Sequence, residues 1–316
     1  FCEKTTVKAV DGVSFSVMPQ ESFAVVGESG CGKTTLGKLV LALEKATAGS
    51  VLFEGKDVQK MNGAALKDMR RQMQVIFQDP YSSLNPRMTV EQIITEPWDI
   101  HGLHKDPAAR AKKLHKLLDD CGIAKSFIDR HPHEFSGGQR QRVGIARALS
   151  LDPKLVVADE PVSALDVSIQ AQILNLLKDL QKEHKLAYLF ISHDFSVVRH
   201  LCTRIAVMYL GRVVEMADSE QLFNDPQHPY TEALLSAVPV PDPSIEKRRK
   251  RILLTGDVPS PLKPPSGCRF HPRCRYMVDA CRTNDPALSD AKPGHQAACP
   301  VLPFKGKRSE AALIAL

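Results

Sequence analysis

The hydrophobic pattern is one of short apolar runs separated by longer amphipathic stretches. Phe23-Ala24-Val25-Val26, Val75-Ile76-Phe77, Leu155-Val156-Val157-Ala158 and Tyr188-Leu189-Phe190-Ile191 are continuous apolar runs, the length of buried strands rather than of helices. Each gives way to polar residues at its C-terminal edge, where open α/β sheets collect ligands. Residues 7–17 alternate imperfectly between apolar and polar, which predicts an edge or surface strand, and residues 34–43 carry leucines at helical spacing. From about 88 to 150 the chain is charged and helix-like without a strand run, as expected of a helical insertion, placed at about 79–150. Beyond about 224 it becomes proline-rich (Pro226, Pro229, Pro239, Pro241, Pro243), so a boundary is expected near 238, dividing a main domain (1–238) from a C-terminal extension (239–316). No internal repeat is visible.

Composition narrows the class. The 316 residues are 43% apolar and 25% charged, ordinary for a globular α/β chain of one or two domains. No apolar run approaches the roughly 18 residues needed to span a bilayer. The net charge of +6 is a modest excess. Its one dense run, Lys247-Arg248-Arg249-Lys250-Arg251, reads as a solvated linker, with contact to nucleic acid or an anionic membrane as the alternative. Eight cysteines without an export signal point to a reducing compartment and away from disulfides. The chain starts at Phe1 without an initiator methionine, and further native sequence is expected upstream.

Residues 27–34 read GESGCGKT, the G-x-x-x-x-G-K-[ST] pattern of a phosphate-binding loop. Its glycines let successive backbone N–H groups turn toward phosphate oxygens, and the helix that follows adds its positive end. Gly27, Glu28, Ser29, Gly30, Cys31, Gly32, Lys33, Thr34 and Thr35 form the expected nucleotide site. Lys33 reaches the β- and γ-phosphates, and the Thr34 hydroxyl binds Mg²⁺. Leu155–Glu160 reads LVVADE, a strand ending in two carboxylates. Asp159 is placed for the Mg²⁺ shell and Glu160 to polarise the attacking water.

A second anion cradle follows from FSGGQRQR at 135–142, where paired glycines open a helix expected to begin near Gln139. One nucleotide does not need two cradles from one chain, so the second is expected to serve a nucleotide held by a partner. Here the sequence resembles the ATP-binding cassette (ABC) ATPases, whose signature L-S-G-G-Q is matched by Phe135-Ser136-Gly137-Gly138-Gln139. The resemblance covers about residues 7–225. It implies a P-loop NTPase fold, a RecA-like α/β core with antiparallel β and helical subdomains. Gln78 then matches the glutamine that senses Mg²⁺ and water. Ser163-Ala164-Leu165-Asp166 matches the loop at the dimer interface, and His193 the histidine that contacts the γ-phosphate. Glu160, His193 and Gln78 are the implied catalytic set, with Mg²⁺ at Thr34, Gln78 and Asp159. Two ATP molecules would be sandwiched head to tail, each between one subunit's phosphate loop and the other's Ser136–Gln139 equivalent. The family's upstream adenine-stacking aromatic has no clear counterpart: either Phe1 serves or the residue precedes the sequence.

Gln78-Asp79-Pro80-Tyr81-Ser82-Ser83-Leu84-Asn85-Pro86-Arg87 and Gln227-His228-Pro229-Tyr230-Thr231 look like the bacterial dipeptide/oligopeptide importer ATPases, in particular their second ATPase subunit. That implies a different ABC ATPase subunit as partner, two membrane permeases, an extracytoplasmic peptide-binding protein and no specific nucleic acid. It implies a peripheral location on the cytoplasmic face of the bacterial inner membrane. An importer ATPase for nickel or another small ligand shares much of the pattern. A soluble ABC ATPase of ribosomes or DNA and a non-catalytic regulatory module are the alternatives from other classes.

Cys268, Cys274, Cys281 and Cys299 are spaced x5, x6 and x17. Three readings stand: unliganded buried thiols, structural Zn²⁺, whose sites usually use closer cysteine pairs, and an iron–sulfur cluster, which tolerates wider spacing. The importer resemblance implies the cluster, as [4Fe-4S]. Arg269, Arg273, Arg275 and Arg282 are expected to offset its charge.

Overall fold

The structure is a computed structural model and describes residues 6–239 and 251–301. Phe1, Cys2 and residues 247–250 of the basic run lie outside the described residues. In chain order the elements are β1 (Ser22–Val26), α1 (Lys33–Val40), β2 (Leu52–Phe53), β3 (Lys56–Asp57), α2 (Gly63–Gln72), β4 (Met73–Ile76), α3 (Pro80–Ser83), α4 (Val90–His101) and α5 (Pro107–Asp120). There follow α6 (Gly137–Leu149), β5 (Leu155–Asp159), α7 (Val167–His184), β6 (Ala187–Ser192), α8 (Phe195–Leu201), β7 (Arg204–Tyr209) and β8 (Arg212–Asp218). The chain closes with α9 (Ser219–Asn224), α10 (Pro229–Ala237), β9 (Ser289–Lys292) and β10 (His295–Ala297). All four apolar runs form strands in whole or large part. Two compact units result. The described residues 6–16, 23–36, 192–239 and 251–301 form the first, and 17–22 with 37–191 the second.

In the second unit β4, β5 and β6 pair in parallel, with Ile76 opposite Ala158 and Asp159 opposite Ile191. β5 is buried except at Asp159, and β6 throughout, so both need continuous apolar sequence. β2 and β3 form a separate antiparallel ribbon. The helical insertion holds α3 to α6. Thr89 and Gln92 close a capping box at the start of α4, and Gly102 ends it in the left-handed conformation. Trp98, fully buried, donates to the Ser150 carbonyl at 2.8 Å and so pins α4 beside the end of α6.

In the first unit β1 pairs in parallel with β7, and β7 antiparallel with β8. The β7–β8 turn is two residues, Leu210 (φ 43°) and Gly211 (φ 82°), both left-handed as the twist of a tight hairpin requires. β10 pairs antiparallel with β8, and β9 with β10, so residues beyond 288 extend this sheet. Residues 6–20 form no strand, contrary to the expectation from their alternation. Their apolar positions anchor the segment through side chains instead: Phe15 stacks on Phe23 with ring centres 4.9 Å apart. A ladder-like contact is made by the Asp11 amide on the Gly211 carbonyl.

Candidate functional site

The first unit carries the phosphate loop between β1 and α1. β1 delivers the chain to Gly27, where a Cβ would collide with the Met208 carbonyl, and at Gly32 it would strike the Ala9 carbonyl. Backbone lies against backbone at both positions, so only glycine fits. Lys33 is 5% exposed, and its ammonium donates to the carbonyls of Gly27 (2.8 Å) and Glu28 (3.0 Å). The lysine thus braces the curve of the loop from inside. Ser29, Gly30 and Thr34 are exposed, whereas Cys31 is buried. Burial raises the Cys31 thiol above its ordinary pKa, with the Lys33 charge opposing, so it behaves as a packed apolar group. His193 is exposed ahead of α8, whose first turn is capped by Asp194 accepting from the Ser196 amide.

The second unit carries the carboxylates and the signature. β5 ends at Asp159, and the next residue, Glu160, has φ 47°. That left-handed geometry costs a non-glycine residue about 1–3 kcal/mol and clusters at functional sites. It is fixed by the Glu160 amide on the Ile191 carbonyl (2.8 Å) and by the Ser163 amide and hydroxyl on the Glu160 carbonyl. Gln78, two residues past β4, donates from Nε2 to Glu160 Oε2 at 2.9 Å. Two residues 82 apart in sequence therefore meet at the C-terminal edge of the parallel strands. Helix α6 starts at Gly137, two residues earlier than expected, because Ser136 is its cap. The Gln139 amide donates to Ser136 Oγ and the Ser136 amide to Gln139 Oε1. Gly137 approaches Leu165 of the 163–166 loop, and Gly138 lies against Ile169 of α7.

Comparison with known proteins gives the family. A family model described as ABC transporter matches residues 10–163, and one described as Oligopeptide/dipeptide transporter, C-terminal region, matches residues 214–281. The oligopeptide transport ATP-binding protein AppF of Bacillus subtilis is 52% identical over 294 residues, covering 93% of this chain and 89% of AppF. The chain is an ABC transporter ATP-binding protein of the oligopeptide/dipeptide importer family. The Haemophilus influenzae oligopeptide transport ATP-binding protein OppF is 48% identical over 299 residues, covering 95% of this chain and 90% of OppF. Among solved structures, a dimeric post-hydrolysis state of the ATP-binding cassette MJ0796 bound to ADP and Pi matches with a TM-score of 0.61 and 29% identity. It covers 67% of this chain and 90% of MJ0796. Structure of cbiO1 from Clostridium perfringens matches at 0.62 and 28%, over 68% and 84% of the two chains. This ABC subunit hydrolyses ATP, and the hydrolysis powers peptide import.

In the C-terminal part of this ABC protein, Cys268, Cys274, Cys281 and Cys299 line one cavity together with His228, Phe270 and Tyr276. All the described cysteines are free thiols. Burial and then the neighbouring thiols raise Cys268 and Cys274 to about 11. The four arginines expected to offset a cluster's charge are engaged elsewhere. Arg269 pairs with Asp11, Arg273 with Glu28, Arg275 with Glu232 and Arg282 with Asp279. In sequence these basic residues read as counter-charges to the thiols, but each has a carboxylate as its partner. Glu215, fully buried, accepts from the amides of Gln227 and His228 and lies 2.6 Å from the His295 ring. It joins β8, the start of α10 and β10, and reading the sequence alone gave it no role. In sequence the Gln227–Thr231 stretch is only a family mark, and the signal for Glu215 is a carboxylate within an otherwise apolar strand.

Proposed function

We propose that this ATPase works head to tail with a second, different ABC ATPase subunit, peripheral to the cytoplasmic face of the inner membrane. The pair would drive two permeases fed by an extracytoplasmic peptide-binding protein. In keeping with a peripheral place, no helix among the described residues is long and apolar enough to cross a membrane. Residues 1–238 serve as the ATP-binding domain and 239–316 as the importer-type extension. The residue roles rest chiefly on one observation, the Gln78–Glu160 hydrogen bond of 2.9 Å. It sets Glu160 beside an amide donor at the strand edge, where its carboxylate would accept a proton from the attacking water. Lys33 and the loop amides hold the β- and γ-phosphates, and His193 contacts the γ-phosphate. Ser136–Gln139 face the partner's nucleotide, and Ser163–Asp166 the partner subunit. Thr34, Gln78 and Asp159 offer hydroxyl, amide and carboxylate oxygens, the hard donors that suit Mg²⁺. Bound there, Mg²⁺ neutralises charge developing on the phosphates. Glu160→Gln should keep ATP binding and lower steady-state turnover by about 10²–10⁴-fold, the usual share of a general base. Full turnover in that variant removes Glu160 from the role.

The four cysteines are read as one ligand set for a [4Fe-4S] cluster, with Zn²⁺ as the alternative. Their shared cavity supports a common ligand. Tetrahedral zinc with bonds of about 2.3 Å would bring sulfurs to about 3.8 Å of one another. Among the described residues no three of these thiols lie within 4.8 Å of one another. When bound, such a cluster supplies a fixed crosslink between the turn at 268–281 and the strand end at 299. Oxygen-free purification followed by iron, sulfide and zinc determination tests this, and stoichiometric zinc without iron or sulfide rejects the cluster.

A further inference from the structure

Glu28, the second residue of the phosphate loop, is gripped at all three of its polar groups. Its carbonyl accepts from Lys33 (3.0 Å), and its amide donates to the Tyr230 hydroxyl at 2.9 Å. Its carboxylate takes both terminal nitrogens of Arg273, at 2.7 and 3.1 Å. Of these side-chain partners, the lysine is local, as is the Cys31 amide on the same carbonyl. Tyr230 lies 202 residues away at the start of α10, and Arg273 lies 245 residues away, next to Cys274.

Neither contact is a loose surface encounter. Tyr230 is fully buried, its ring 4.7 Å from Tyr209 and 5.3 Å from Phe270. Arg273 is 8% exposed and sits in the single turn His271–Arg273, which is shaped by the Cys268 carbonyl accepting from the His271 amide. The Cys268 amide in turn donates to the Cys281 carbonyl. Arg269, in the same segment, donates to the Leu210 carbonyl. That carbonyl belongs to the turn whose next residue, Gly211, donates to the Cys31 carbonyl of the phosphate loop at 2.9 Å. The cysteine segment therefore reaches the loop twice, once through Glu28 and once through the β7–β8 turn.

We propose that Arg273 and Tyr230 are positioning residues for the phosphate loop, and that through them the four-cysteine segment and the bound nucleotide are energetically coupled. The loop binds phosphate with backbone amides whose directions must be set before the ligand arrives, because amides that must first be ordered bind more weakly. A bidentate guanidinium–carboxylate pair fixes direction as well as distance. Coupling is reciprocal: if an ordered cysteine segment favours nucleotide binding, nucleotide must favour the ordered segment by the same factor. The thiol arm of the test below rests on reading the four cysteines as one site; the nucleotide arm does not.

The experiment uses the full chain in the Glu160→Gln background, so that ATP binds without turnover. Equilibrium binding of a fluorescent ATP analogue is measured for Arg273→Ala, Arg273→Lys, Glu28→Gln and the Arg273→Ala/Glu28→Gln double variant. The rate at which a maleimide labels the C-terminal thiols is followed with and without saturating ATP, and metal content is measured in parallel. Arg273→Ala and Glu28→Gln should each weaken nucleotide binding about 5–50-fold, within the usual span of coupling between sites. The double variant should be no worse than either single one, and Arg273→Lys should recover only part of the loss, since an ammonium lacks the planar fork. ATP should slow thiol labelling in the parent chain and not in Arg273→Ala. In the Glu160 chain, Arg273→Ala should raise KM for ATP by a larger factor than it lowers kcat, as expected when binding is what is lost. Wild-type nucleotide affinity in both single variants, or losses that simply add, overturns the positioning role. Labelling indifferent to ATP in the parent chain overturns the coupling. Should Arg273→Ala fail to fold, Glu28→Gln, at a partly exposed loop position, decides the nucleotide arm alone. A chain that carries no metal but shows the nucleotide effects would reject the cluster while sustaining the positioning role.

Discussion

The phosphate loop and the start of the signature helix are both proposed as backbone cradles for phosphate, yet they are held in opposite ways. The loop is fixed by residues far off in sequence: the carbonyls of Met208 and Ala9, the Tyr230 hydroxyl and the Arg273 guanidinium. The signature is fixed by its own first turn, where Ser136 and Gln139 cap each other, and by Leu165 and Ile169 behind its glycines. A cradle braced by rigid backbone is ready before its ligand comes. A cradle whose hydroxyl and amide already serve each other must exchange those bonds to engage a phosphate. The difference suits their proposed tasks, since the loop keeps its own nucleotide while the signature meets the partner's only when the two subunits close.

Adding one methyl group to each cradle is the strongest way to break that contrast. In Gly27→Ala the new Cβ meets the Met208 carbonyl, which β7 holds in the sheet. In Gly138→Ala it meets the Cγ2 methyl of Ile169, a side-chain group that a χ1 rotation moves at some cost. The expected outcome is loss of ATP binding by more than 100-fold and a stability loss of about 2–4 kcal/mol for Gly27→Ala, in the range of severe overpacking. Gly138→Ala should cost about 1–2 kcal/mol, less than Gly27→Ala, and be largely rescued by Ile169→Ala, which removes the Cγ2 methyl. Nucleotide titration and denaturant unfolding measure both, and equal damage at the two glycines would erase the distinction. A smaller effect is expected from Ser136→Ala, which removes one half of the capping box. It should cost about 1 kcal/mol and leave binding of the subunit's own ATP within about 2-fold, because the phosphate loop does not draw on it. A large fall in that affinity would show that the two cradles are not held independently.

Much of the local geometry of the proposed nucleotide site was legible because each motif carries its own mechanism in consecutive residues. GESGCGKT, LVVADE and FSGGQ each sit at a strand end or helix start, where the structure has them. The Gln78–Glu160 meeting followed from two adjacent parallel strands with polar ends. What stayed hidden depends on long-range side chains. Residues 7–17 alternate like a strand, but their partners are a ring and a turn, not a ladder. The β7–β8 hairpin was obscured because its tight turn begins with Leu210 rather than the usual Asn or Gly. Arg273 looked like one of four counter-charges to the cysteines, and nothing in its spacing pointed 245 residues back to Glu28. Charge pairing over such distances leaves no local pattern to read.

The smallest effect expected concerns acid and the helical insertion that bears the signature. His101 closes the last turn of α4. Burial, and then the charges of Lys67 and Arg71, lower its pKa below the ordinary histidine value, with Asp68 opposing. The neutral ring is thus favoured in the folded chain, whereas the unfolded chain takes up the proton more readily. The stability tied to this residue is fully present above about pH 6.5, the ordinary histidine pKa. It falls as the pH drops through that value and stops falling below the folded-state pKa. His101→Gln, a good helix former, should show a shallower loss of Tm between pH 7.5 and 5.5 than the parent chain, with little difference above pH 7. Added salt should narrow the gap in part, because it screens Lys67 and Arg71 but leaves burial untouched. Parallel Tm curves for the two chains across this window would show that His101 contributes nothing to the acid response. The same loss in a nucleotide-binding readout would show that acid reaches the phosphate loop as well, and would weaken the contrast between a loop braced from afar and a signature held by its own turn.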